Sequence, residues 1–236
     1  MLHSENSVYE LAEGDVDGRV LLVMLPGAKN TPQQLVENGF ISALRERRQG
    51  VDVLALDAHA DSYLNRPEIE RQLHETLDAA WAQGYRRIWL LGISLGGTGA
   101  MICATQRTAQ IEGIFLLAPF LGTRGIIAEV IASGGLSRWR AGEIGKRDHE
   151  RALLAHIGDK AQATDNFPVI YLGFGSGDRY RGASTVLAEL LPPDRVIVKP
   201  GGHDWETWKT LWCAMLDKQP FDSGTGTLTA KVILPD

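Results

Sequence analysis

The sequence predicts an α/β fold: a mostly parallel sheet flanked by helices, with a short, lid-like helical insertion. Short apolar runs alternate with longer segments of helical period, the rhythm of strands joined by crossover helices. A G-x-S-x-G pentapeptide, Gly92-Ile93-Ser94-Leu95-Gly96, sits between one such apolar run and a small-residue helical segment. Between residues 122 and 165 the rhythm breaks, over a stretch too long for a simple crossover.

Residues 19–25 (RVLLVML) form the first strong strand, ended by Pro26-Gly27. Thr31 and Pro32 open a helix that runs to about residue 48. Thr31 serves as N-cap, and Pro32 occupies the first helical position, where its missing N–H has no partner to lose. Residues 51–56 are the next strand. A long helix over 67–83 carries Ile69, Leu73, Leu77 and Ala80 on one stripe and closes at Gly84. Residues 86–91 lead into the serine turn. The helix after it, 95–107, starts with Gly96, Gly97, Gly99 and Ala100. Glycines are poor helix formers, tolerated where a helix presses closely on a sheet. Further strands are expected at 112–118, 167–174 and 195–199, with amphipathic helices at 182–191 and 205–216. The 122–165 insertion reads as two or three short helices. One domain therefore spans 1–219, followed by a tail, 220–236, whose residues 228–234 have strand-like composition. No internal repeat and no Rossmann or P-loop glycine pattern is present.

A formal net charge of -5 argues against non-specific binding to nucleic acid or to an anionic membrane surface. No apolar run is long enough to span a bilayer, and the first residues, Met1-Leu2-His3-Ser4, have no basic start or apolar stretch. A cytoplasmic protein is expected. Cys103 and Cys213 each fall in an apolar helical pattern and read as core thiols rather than a disulfide pair.

A serine held between a strand end and a helix start is forced into a sharp turn that exposes its hydroxyl and aims a helix N-terminus at whatever the hydroxyl attacks. Ser94 is accordingly the candidate nucleophile. It needs a base, because a hydroxyl is a weak nucleophile at neutral pH. His203 follows the final core strand and so falls at the sheet edge where Ser94 sits. His59, after the strand at 51–56, is the rival in a comparable loop position. The base needs a carboxylate to fix its tautomer. Asp178, in Gly175-Ser176-Gly177-Asp178 behind the strand at 167–174, suits that role, and Asp57 and Asp204 suit it less well. For an oxyanion, Leu95 offers the first amide of the helix, and Ala28 a second from the loop after the first strong strand. Pro26 has no N–H, and Gly27 is the alternative to Ala28. His59 and Asp61 alone do not make a metal site, so neither metal nor cofactor is expected.

The order LPGA, GISLGG, GSGD, GGHDWETW resembles the α/β-hydrolase superfamily over about residues 20–216. The last motif is similar to the histidine region of esterase D-like carboxylesterases. The resemblance implies a serine hydrolase with Ser94 as nucleophile, Asp178 as acid, His203 as base and the Ala28 and Leu95 amides as oxyanion hole. Pro26-Gly27 stands where many members have His-Gly, and the HGGG run of the larger lipases is absent. The expected activity is cleavage of small-molecule carboxylic esters with short acyl groups through an acyl-enzyme. Thioesterase or acyl-transfer chemistry on a carrier-bound substrate is the alternative, and a non-catalytic small-molecule binding protein is a further one. Trp205 and Trp208 read as anchors of the histidine loop rather than substrate contacts. Arg138, Arg140, Lys146, Arg147 and Arg151 read as a solvated face, since Glu143, Asp148 and Glu150 are interleaved among them.

Overall fold

The computed structural model describes residues 6–12, 19–47, 50–58, 66–162 and 167–221. Seven strands form one sheet in the order β1-β3-β2-β4-β5-β6-β7. They are β1 (Val8–Glu10), β2 (Val20–Leu25), β3 (Val51–Ala55), β4 (Arg87–Ile93), β5 (Gly113–Leu117), β6 (Val169–Gly175) and β7 (Val196–Lys199). Only β1 runs antiparallel, against β3; the other neighbours pair parallel. The expected strands after β1 are all found, within two residues at most ends. Strands β2, β3 and β5 are buried along their whole length. Apart from Asp52 in β3, their composition is apolar throughout, because a parallel sheet is covered on both faces.

The helices are α1 (Pro32–Glu37), α2 (Phe40–Arg47), α3 (Arg66–Ala82), α4 (Leu95–Gln106), α5 (Arg124–Ala132), α6 (His149–Gln162), α7 (Arg181–Ala188) and α8 (Trp205–Leu216). Thr31 caps α1 as expected. Its hydroxyl accepts from the Gln34 amide while the Gln34 side chain accepts from the Thr31 amide. The single helix expected over 31–48 is, however, two. The chain turns at Gly39, whose φ of +72° is a conformation that favours glycine. Lys209, from α8, donates to the freed carbonyls of Asn38 and Gly39 at 3.2 and 2.5 Å. The insertion contains α5 and α6, and α6 is longer than the short helices expected there.

An aromatic cluster fills the core. Trp89 of β4 and Phe115 of β5 stack at 5.0 Å, with Trp212 of α8 edge-on to Phe115 at 5.1 Å and Phe221 edge-on to Trp89 at 5.2 Å. Phe221 is buried and its carbonyl accepts from Arg87. The core therefore runs on to Phe221, into the segment read from the sequence as tail. The strand-like stretch at 228–234 lies outside the described residues. Cys103 is buried, which pushes its thiol pKa up to about 12, and Cys213 is half-buried; neither is in a disulfide. No helix among the described residues is long and apolar enough to cross a membrane.

The edge strand β1 has only three half-buried residues, too weak a pattern to be read from the sequence. It pairs with β3 near Asp52, a fully buried carboxylate at the N-terminal edge of the sheet. Asp52 accepts from Arg19 at 2.7 Å, from the Ala12 amide at 2.6 Å and from the Tyr85 hydroxyl at 2.5 Å. The Tyr85 hydroxyl also bonds that of Tyr9 on β1. Burial, reinforced by the Asp52 carboxylate, raises the Tyr85 pKa, so its proton stays in the network. Removing one partner of a buried ion pair leaves the other charge poorly compensated. Asp52→Asn is expected to lower unfolding stability by about 3 kcal/mol in urea titration, far more than a surface Asp→Asn change.

Candidate active site

Ser94 occupies the turn between β4 and α4 with φ 51° and ψ -113°, a strained conformation for a residue with a side chain. Backbone bonds hold it there. Its amide donates to Leu117 of β5 at 2.9 Å, and its carbonyl accepts from Phe120 at 2.8 Å and Gly97 at 3.0 Å. Gly96 makes the turn possible. A methyl group there would overlap the Leu25 carbonyl and come within 2.6 Å of the Pro26 carbonyl, in the loop after β2. The contact that requires glycine thus also brings the 26–28 loop against the serine turn.

Two further loops converge on Ser94. Beyond β6 and β7 the chain continues to pair: the Ser176 amide donates to Lys199 at 2.8 Å and the Gly177 amide to Gly201 at 2.9 Å. This extension draws Asp178 and His203 together. His203 Nδ1 lies 2.8 Å from Asp178 Oδ2, and His203 Nε2 lies 2.9 Å from Ser94 Oγ. Asp178 is fully buried, and its other oxygen accepts from the Tyr180 amide at 2.7 Å. A carboxylate can only accept, so Nδ1 carries the proton and Nε2 is free to receive one from the serine. The arrangement can therefore deprotonate Ser94 as it attacks and stabilise the resulting imidazolium.

The rivals considered from the sequence lie elsewhere or do other work. Asp57 accepts from the Asn6 side chain. Asp204 caps α8, accepting from the Thr207 amide at 2.9 Å. Of the other histidines, His74 on α3 bonds Gln106 on the surface. His59 and Asp61 lie outside the described residues, and no group of three or more metal-binding side chains occurs among those described. Ala28 lies in a turn closed by the Asn30 amide on the Gly27 carbonyl, and Leu95 is the first residue of α4. Among the described residues neither amide has a hydrogen-bond acceptor, as two oxyanion donors require. Trp208 is buried and meets His203 edge-on at 5.0 Å, and Trp205 packs on Phe40 and Trp208. Both anchor the histidine loop.

Two features escaped sequence reasoning. Tyr180 also meets the His203 ring edge-on, at 5.0 Å; its place two residues after Asp178 was the available signal. A cavity of about 310 Å³ opens beside Leu95. Leu95, Thr98 and Ile102 share one face of α4 and form its floor, with Phe120 and Leu121 beside them and residues 147–150 and 153 of the insertion across from them. Of the basic residues in the insertion, Arg151 pairs with Glu129 and Asp148, as expected of a solvated face. Arg147, by contrast, lines this cavity.

No family model matches the sequence, and no curated protein matches it. Solved structures do. S-formylglutathione hydrolase from Staphylococcus aureus superposes with a TM-score of 0.64 at 13% identity, over 88% of this chain and 83% of that one. The fluorophosphonate-binding serine hydrolase F of Staphylococcus aureus gives 0.65 at 15% identity, over 92% and 95%. Est1E from Butyrivibrio proteoclasticus gives 0.64 at 14%, over 91% and 92%. The chain has the α/β-hydrolase fold, which it shares with these hydrolases.

The bond from Thr207 lowers the pKa of Asp204, so its contribution to stability is complete above the ordinary aspartate range and fades as pH falls through the lowered value. Asp204→Ala should cost about 1 kcal/mol at neutral pH, a typical loss for an N-cap. In urea titrations at several pH values, the gap to the parent should narrow below about pH 4.

Proposed function

We propose that this protein is a serine hydrolase that cleaves carboxylic esters of small acyl groups. The observation that carries this reading is the continuous Asp178–His203–Ser94 hydrogen-bond chain, ending on a serine in a strained strand-to-helix turn. Ser94 Oγ attacks the ester carbonyl as His203 Nε2 takes the hydroxyl proton, while Asp178 holds the imidazolium. The Ala28 and Leu95 amides donate to the oxyanion. Collapse breaks the bond to the alcohol, which leaves with the proton from His203, and an acyl-Ser94 remains. Water, deprotonated by the same nitrogen, releases the acid and restores the serine.

The cavity beside Leu95 supports the choice of acyl group. At about 310 Å³ it lies at the small end of ligand sites, which favours a short acyl chain over a long one. Thioesters pass through the same steps. The name of the Staphylococcus aureus neighbour, S-formylglutathione hydrolase, supports a thioester with a very small acyl group as a second substrate class. Two cysteines without a disulfide suit a reducing compartment such as the cytoplasm.

Covalent labelling by a fluorophosphonate tests the reading directly. The parent protein should label and Ser94→Ala should not, while its urea denaturation midpoint stays close to the parent's. Labelling of folded Ser94→Ala would overturn the assignment. Asp178→Asn removes the acceptor that orients His203 and should lower kcat on the order of 10⁴-fold, whereas Asp57→Asn and Asp204→Asn should change it little. In a series of p-nitrophenyl esters of increasing acyl length, kcat/KM should peak at acetate to butyrate and fall by octanoate. A maximum at long chains, or a jump in rate once substrate forms droplets, would point to a lipid site instead.

A further inference from the structure

We propose that Arg124 and Arg179 bind a carboxylate carried on the leaving half of the substrate, making this a hydrolase for esters or thioesters of acidic alcohols or thiols. The inference rests on the proposed serine-hydrolase reading and adds the substrate class. In that chemistry His203 Nε2 hands its proton to the departing oxygen or sulfur, so the leaving group lies against the His203 ring while the acyl half lies at Leu95. Tyr180, 41% exposed, meets the His203 ring edge-on at 5.0 Å. Two guanidinium groups flank the Tyr180 ring, Arg179 at 4.8 Å and Arg124 at 5.9 Å from its centroid. They come from different elements, one following the acid and one from the first residue of α5 in the insertion.

Many arginines of this acidic chain meet carboxylates, among them Arg19 with Asp52, Arg45 with Glu10 and Arg87 with Glu112, while some surface arginines such as Arg138 and Arg181 have no ion pair among the described residues. Arg124 and Arg179 form no ion pair and no hydrogen bond among the described residues, and both are exposed. Their only described contacts are with the tyrosine ring. The ring attracts each cation but occupies none of its N–H donors, leaving a planar fork available for two parallel bonds to a carboxylate. Two like charges around one ring also repel each other, and an anion beside them relieves that repulsion. The nearby carboxylates are already engaged, Asp178 by His203 and Tyr180, Asp204 by Thr207, and Glu150 by the Thr123 amide beside Arg124. The substrate is then the missing partner, its carboxylate about one aromatic ring beyond the reacting oxygen.

The test compares two esters of one shape, the acetyl esters of 4-hydroxybenzoate and of 4-hydroxybenzamide. The parent protein should favour the carboxylate ester in kcat/KM by about ten-fold, mainly through KM, and the preference should shrink as salt is raised. In the Arg124→Gln/Arg179→Gln variant the ratio should fall to about one, with turnover of the amide ester showing that the protein is folded. Arg124→Glu, at an exposed position, should favour the amide ester. Arg86→Gln, on the Trp81 ring away from the site, should leave both rates unchanged. Equal parental rates, or a preference that survives the double change, would overturn the inference and leave the hydrolase reading intact. If the parent turns over neither ester and fails to label with a fluorophosphonate, both fall.

Discussion

Hydrogen bonding between parallel strands, from β3 across to β7, is the constraint on which the site depends. Parallel pairing sends every C-terminal strand end to the same edge, so the loops after β2, β4, β6 and β7 meet although more than a hundred residues separate Ser94 from His203. Continued pairing beyond β6 and β7 then narrows this meeting from a shared edge to a hydrogen bond. The Ser176–Lys199 and Gly177–Gly201 bonds extend the β6–β7 register into the acid and histidine loops.

The two edges of the sheet are built on opposite principles. At the N-terminal edge, Asp52 is sealed among Arg19, Tyr85 and the Ala12 amide, so the buried charge has its partners within the fold. At the C-terminal edge Ser94 is strained, and among the described residues the Ala28 and Leu95 amides have no acceptor and Arg124 and Arg179 no counterion. Donors and charges left open in this way lower the stability of the free protein and are available to a ligand. The ionic network at one end and the aromatic core around Trp89 offset that cost.

The insertion makes this chain's site particular. Its residues 147–150 and 153 form one side of the cavity beside Leu95, and Arg124 at its other end reaches Tyr180. One segment therefore borders both the cavity beside Leu95 and the Tyr180 ring next to His203. Pro26 leaves the 26–28 loop intact, because the contact that seats the loop is between the backbone of residues 25–26 and Gly96.

Local sequence determined much of this protein. Unbroken apolar runs marked the buried parallel strands, Thr31-Pro32 marked a helix start, and two glycines around Ser94 marked a turn that only a close strand-to-helix junction requires. The order of strands and motifs was enough to select Ser94, Asp178 and His203, which the structure brings together, because position after a strand is itself a local property. Tertiary structure decided the rest. The break at Gly39 depends on Lys209, 170 residues away; β1 exists because β3 and the Asp52 network receive it; Phe221 is core because Trp89 lies beside it. Tyr180 and its two arginines were plain in the sequence as residues but not as neighbours of His203. A ring contact depends on how the acid loop, the histidine loop and the insertion pack, and no periodicity along the chain encodes that.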